Sequence, residues 1–122
     1  MRRWTATDAA GSLRAPTSHD DKYTRGVVGI RTGSPSFKGA AVLGVEAAWR
    51  AGVGMVRYVG PAGAEVLARR PETVLSEGRV NAWVIGSGTD PAHRDDAETA
   101  LLREILAGTV PVVVDAGALD LV

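Results

Sequence analysis

The sequence contains no cysteine, which excludes disulfides, thiolate nucleophiles and thiolate metal sites. Aromatic residues are scarce, at three Trp, two Tyr and one Phe, and no ladder of them accompanies the basic residues. A nucleic-acid surface is therefore not expected. Net charge is also lacking, since 14 Lys and Arg balance 14 Asp and Glu. No apolar run approaches the roughly 18–20 residues that cross a bilayer, and the opening Met1-Arg2-Arg3-Trp4-Thr5 has no signal-peptide hydrophobic region. The chain reads as cytoplasmic, with no membrane partner. The two histidines, His19 and His93, stand too isolated to suggest a metal site or a nucleophilic dyad.

What is present suits one small α/β domain, or part of a larger one. Twelve of the fourteen basic residues are arginine, and they are unevenly placed. Residues 22–79 hold nine basic and four acidic side chains, whereas residues 80–122 hold two basic and seven acidic. The middle could welcome an anion, although ordinary solvated faces give the same pattern.

Residues 1–22 have neither a strand nor a helix period and carry Gly11, Ser12, Pro16 and Ser18, the composition of a linker or disordered tail. From residue 23 the texture changes. Short β-branched runs at 25–31, 55–59, 82–85 and 110–114 alternate with helical stretches at 39–51 and 62–70 and a third one that opens at Asp90, with Pro91 as its first residue. The stretch Gly39 to Ala51 is apolar nearly all round, with Glu46 and Arg50 as its only polar stripe, so burial on most sides is expected. The order β-α-β-α-β-α-β, with continuously apolar strands, predicts a three-layer α/β/α fold with a mostly parallel sheet. In such folds ligands gather beyond the carboxyl ends of the strands, which selects the loops 32–38, 60–64, 86–90 and 115–119. No helix is foreseen to cover the last strand.

Three places in those loops carry candidate chemistry. Gly33-Ser34-Pro35-Ser36-Phe37-Lys38-Gly39-Ala40-Ala41 runs from a strand into a helix that starts with small residues, so unpaired amides can approach a phosphate. It is not a Walker A loop, because Lys38 precedes Gly39, and a plain strand-to-helix turn fits the spacing equally. Gly86-Ser87-Gly88 begins a dinucleotide fingerprint that Pro91 leaves incomplete; a tight turn also explains it. Asp115, directly after a valine run, is placed to hold a magnesium-hydrated phosphate or a ribose hydroxyl, or else to bond its own turn backbone.

Seven blocks in order give these residues a common meaning. They are Lys22 with Arg25-Gly26, Gly33-Ser34, Phe37-Lys38-Gly39-Ala40-Ala41, Arg50-Ala51-Gly52-Val53-Gly54-Met55-Val56, Pro71-Glu72, Ile85-Gly86-Ser87-Gly88 and Asp115-Ala116-Gly117-Ala118-Leu119. Residues 22–122 thereby resemble the N-terminal half of the NAD(P)H-hydrate dehydratase family, whose members are ribokinase-like. Phe37 stands where tyrosine is common, Ser87 where proline is usual and Gly117 where aspartate is frequent. The resemblance implies an ADP-dependent (S)-NAD(P)H-hydrate dehydratase, a lyase that phosphorylates the hydrate with ADP (or ATP) and Mg2+ and then eliminates phosphate. It implies that Ala40, Ala41 and Gly88, with Gly33, Ser34 and Gly39, contact the hydrated cofactor, and that positive potential from residues 22–79 suits its diphosphate. The family's Gly-Thr-Gly-Asp segment, which would supply the base, and its nucleotide loops have no counterpart in residues 1–122. A truncated substrate-binding part that self-associates or depends on a missing C-terminal half is thus expected. The alternatives are a non-catalytic nucleotide-binding or assembly module and a generic α/β nucleotide-binding domain.

Overall fold

The computed structural model describes residues 1–122. Four strands form one all-parallel sheet in the order β2-β1-β3-β4, with β1 Val27–Arg31, β2 Met55–Tyr58, β3 Ala82–Ile85 and β4 Val112–Val114. Helices α2 (Lys38–Arg50) and α3 (Gly63–Arg69) cover one face of the sheet, where Ala41, Val45 and Val66 close on Ile30, Val56 and Tyr58. Helix α4 (Asp96–Ala107) covers the other, where Leu102 meets Ile85 beneath Trp83 and Val112. The expected three-layer α/β/α arrangement is what these residues build. No helix is long and apolar enough to cross a membrane.

The two faces depend on opposite residues of the same strands. In β1, Val28 and Ile30 turn toward α2, while Gly29 lies beside Trp83 of β3, its partner in the register. A methyl group at Gly29 would overlap the indole and lie 2.8 Å from its Cδ2. The missing side chain is what lets Trp83 lie flat across the sheet to reach α4.

Several boundaries differ from the sequence expectation, each for a local reason. Residues 1–22 include a short helix, α1 (Ala6–Ser12), opened by a capping box between Thr5 and Asp8. None of these 22 residues is buried. The last long helix begins at Asp96, not after Asp90. Asp95 is the N-cap, its carboxylate accepting from the Glu98 amide at 2.7 Å, while Asp90 closes a separate turn by accepting from the Ala92 amide at 2.9 Å. Strand β4 starts at Val112, because Pro111 has no N–H for the ladder and joins it only through its carbonyl, which accepts from Trp83 at 2.9 Å. A 3-10 helix over Ala116–Leu121 follows β4, and its Ala118 and Leu121 join the α4 layer. The last strand is therefore covered on that face. Helix α2 buries only Ala41 and Val45 fully, and Leu43 is 72% exposed, so one stripe of it is packed and the rest is open. Beyond β2, Val74 forms an isolated parallel bridge with Arg57 that sequence periodicity did not reveal.

Substituting Gly29→Ala is expected to cost about 1–3 kcal/mol of unfolding free energy, the usual penalty of overpacking a filled layer. Urea unfolding followed by tryptophan fluorescence checks it, and an unchanged midpoint would contradict the packing described. A second expectation concerns acid. Glu46 of α2 accepts from Arg50 at 2.6 Å and from Arg70, just after α3, at 2.5 Å, and these bonds, Arg70 first, hold its carboxyl down to about 2. A depressed carboxyl stabilises the fold above its ordinary value and loses that contribution as pH falls through the folded value. Between pH 4.5 and about 2 the wild type should lose stability more steeply than Glu46→Gln, read as the slope of the thermal midpoint against pH.

Candidate functional site

Because all four strands run the same way, their carboxyl ends open on one edge of the molecule, and the loops after β1, β3 and β4 interlock there. The Gly33 amide donates to the Ser87 carbonyl at 2.7 Å, joining the first loop to the second. Gly88 adopts φ +69°, and a Cβ on it would overlap the Ala40 side chain while lying 3.1 Å from the Phe37 carbonyl and 3.2 Å from Gly33 Cα. The third loop presses in from the other side: a Cβ on Gly86 would overlap the Asp115 carbonyl, and one on Gly117 would overlap that of Thr89. Only glycine permits backbones this close.

Within that interlock, Ser34 begins a turn in which its carbonyl and its hydroxyl both accept from the Phe37 amide, at 3.0 and 3.2 Å. Pro35 suits the second position of such a turn. Phe37 then stands at the helix start with no side-chain acceptor, so the first amides of α2, at Lys38 and Gly39, have no capping partner. Gly39 is exposed with open space around it, Ala40 is half-buried against Gly88, and Ala41 is wholly buried in the core. A contribution from Ala41 is therefore steric. Asp115 is exposed, makes no side-chain cap to the 3-10 helix and does not line the cleft.

A cleft of about 650 Å³ opens beside these loops, between Ser34 and Phe37 on one side and Thr89, His93 and Leu101 on the other. At its floor Arg31, the last residue of β1, donates to both carboxylate oxygens of Glu98 at 2.5–3.2 Å and also to the Val59 carbonyl. One guanidinium thus ties together the ends of β1 and β2 and the first turn of α4. Tyr58 adds a second tie, donating to the Thr32 carbonyl at 2.8 Å and accepting from the Ala62 amide at 3.1 Å, and burial pushes its hydroxyl pKa up. Sequence reading singled out none of Arg31, Tyr58, Arg94 or Glu98. An arginine closing an apolar strand was the available signal.

The expected positive potential is not what the cleft presents. Of the nine basic residues between 22 and 79, only Arg31 lines it. Six of the others are engaged elsewhere: Arg25 on the Gly52 carbonyl, Arg57 on the carbonyls of Ser76, Glu77 and Arg79, Arg50, Arg69 and Arg70 on Glu46, and Lys38 on Glu65. His93 is not isolated either, since its Nδ1 meets Asp90 Oδ2 at 2.7 Å; that bond, then the Ala92 amide, holds the Asp90 carboxyl below its ordinary value. No three His, Asp or Glu side chains cluster as metal donors.

The family model for NAD(P)H-hydrate dehydratase matches residues 28–122. The chain belongs to that family. Among curated relatives, the bifunctional NAD(P)H-hydrate repair enzyme Nnr of Mycobacterium tuberculosis is 47% identical over 121 residues, covering 95% of this chain and 25% of that protein. The enzyme of the same name from Corynebacterium glutamicum is 46% identical over 111 residues, covering 87% and 19%. The chain thus spans about a quarter or less of these family members. Among solved structures, the ADP/ATP-dependent NAD(P)H-hydrate dehydratase of Bacillus subtilis, co-crystallised with ATP/Mg2+, superposes with TM-score 0.79 at 24% identity, covering 95% of this chain and 46% of that one. A ribokinase-like superfamily protein of Enterococcus faecalis gives TM-score 0.82 at 20% identity, covering 98% and 47%. At that distance the superpositions establish the ribokinase-like fold.

Gly88→Ala should destabilise the chain by about 2–4 kcal/mol, combining a left-handed backbone with overlap of Ala40. Gly39→Ala, in open space on a helix, should fall within about 1 kcal/mol of wild type or raise stability. Chemical denaturation of the two variants side by side separates the interlocked glycine from the free one, and equal effects would contradict the geometry.

Proposed function

We propose that residues 23–122 are the substrate-binding part of an ADP- or ATP-dependent (S)-NAD(P)H-hydrate dehydratase, and that they hold the hydrated cofactor at the interlocked loops 33–41 and 86–90. The carrying observation is the approach of Gly88 to Ala40 beside the unpartnered amides of α2, in a chain of this family. Unpaired amides at a helix start favour the diphosphate of a dinucleotide, and the small side chains allow its backbone-close approach. Gly33 and Ser34 shape the cleft wall next to them.

The reaction this reading assigns to the whole enzyme is phosphorylation of the added ring hydroxyl, which makes a good leaving group that the ring nitrogen's electron pair expels. No step of that transfer is assigned to the residues present here. The nucleotide, its magnesium and the base on the hydroxyl belong to chain outside residues 1–122. The unpaired outer edge of β4 supports this, since an open parallel edge is where further sheet adds.

The test is a pair of measurements on hydrated NADH with ADP and magnesium. The chain alone should bind the hydrate, seen as amide shifts at Gly33, Ser34, Gly39, Ala40 and Gly88, without restoring NADH absorbance. A longer chain carrying the Gly-Thr-Gly-Asp segment should restore it. Turnover by the 122 residues alone, or shifts confined to the opposite end of the sheet, would overturn the reading.

A further inference from the structure

We propose that Tyr58 is a positioning residue for the hydrated cofactor: its buried hydroxyl holds the segment 32–37 from beneath, and with it the uncapped amides at the start of α2. This rests on the functional reading above and adds a side chain outside the cleft on which the geometry of the binding loops depends.

Few bonds secure that segment. Apart from the helix it opens, residues 32–37 are held to the rest of the protein by two hydrogen bonds. The Gly33 amide donates to the Ser87 carbonyl at 2.7 Å, and the Thr32 carbonyl accepts from the Tyr58 hydroxyl at 2.8 Å. The turn bonds between Ser34 and Phe37 are internal to it. Thr32 is 1% exposed, yet its own hydroxyl has no partner, so Tyr58 anchors it through its backbone and nothing anchors it through its side chain.

The fit around the phenol is close on several sides. A Cβ on Gly33 would lie 3.5 Å from the Tyr58 oxygen, 3.4 Å from the Phe37 carbonyl and 3.0 Å from the Ala41 methyl group. One on Gly60 would overlap the hydroxyl and lie 2.8 Å from the Thr32 carbonyl. The same oxygen accepts from the amide of Ala62, the N-cap of α3, at 3.1 Å. A hydroxyl that donates and accepts at once polarises both bonds, which sets the segment 32–37 and the start of α3 as one unit.

Phenylalanine at this position would keep the ring in the core with Ile30, Val45 and Val56 and remove only the oxygen. The Thr32 carbonyl and the Ala62 amide would lose their partner, and both residues are buried. An unpaired buried group costs more than its bond contributes, so the segment would relax toward water and carry Gly33, Ser34 and the helix start with it. A ligand held by main chain in that stretch is sensitive to such a displacement.

The experiment titrates hydrated NADH into the isotope-labelled chain and follows amide shifts and amide hydrogen exchange. Tyr58→Phe is compared with Val66→Ala, which thins the same core layer from α3 and leaves the hydroxyl in place. Both variants should unfold at lower urea. Under conditions where each is fully folded, the hydrate dissociation constant should rise roughly three- to thirtyfold in Tyr58→Phe and less than about twofold in Val66→Ala. In the wild type, bound hydrate should also slow exchange of the Ala62 amide, which is buried and does not line the cleft, and Tyr58→Phe should abolish that slowing. Equal affinities in wild type and Tyr58→Phe, or an equal loss in both variants, overturns the positioning role. So does unchanged Ala62 exchange in the hydrate-bound wild type, a result that needs no folded variant. If the hydrate moves none of Gly33, Ser34, Gly39 and Ala40 in the wild type, the functional reading fails and the positioning role with it.

Discussion

The parallel pairing of β1 with β2 on one side and β3 on the other is the constraint on which the rest of the structure depends. It sends three strand ends to a single edge, so that loops distant in the chain must share one small volume. Sharing it requires backbones to touch, and glycines at 33, 86, 88 and 117 stand where they do. Gly29 serves the same sheet from within, letting Trp83 span from β3 to the α4 layer. A β1 paired the other way would separate Gly33 from Ser87 and leave no cleft.

Charge follows from that geometry in a way composition does not show. Arginines outnumber lysines six to one, and the guanidinium fork is used here mainly as a bracket. Arg25 and Arg57 hold loop carbonyls, Arg31 joins two strand ends to α4, and Arg94 clamps the 3-10 helix. Arg25 and Arg57 are held away from the cleft, and Arg31 and Arg94 lie against carboxylates. What remains exposed at the cleft is acidic, and the anion-favouring feature nearby is the bare start of α2.

Legibility in the sequence was uneven, for physical reasons. The four valine-rich strands and α2 were readable because buried parallel strands must be apolar along their whole length, and α2 is rich in good helix formers. The start of α4 was misplaced because Asp90-Pro91 and Asp95-Asp96 both look like caps, and only the neighbouring chain decides which carboxylate meets a helical amide. Helix α1 was invisible because seven residues held by a capping box leave no periodic apolar signal. Arg31 and Glu98, 67 positions apart, carry no local mark of their pairing.

By itself the sequence determined the layer architecture and the family, since both rest on local pattern: continuous apolar runs, good helix formers, and short motifs in a set order. The tertiary structure alone decided that the 33–41 and 86–90 loops meet, that most basic residues of the middle segment are occupied, and that Asp90 and Asp95 face a cleft. Those are long-range facts. They depend on which groups the sheet brings within a few ångströms, and Coulomb and steric forces act on that distance, not on separation along the chain.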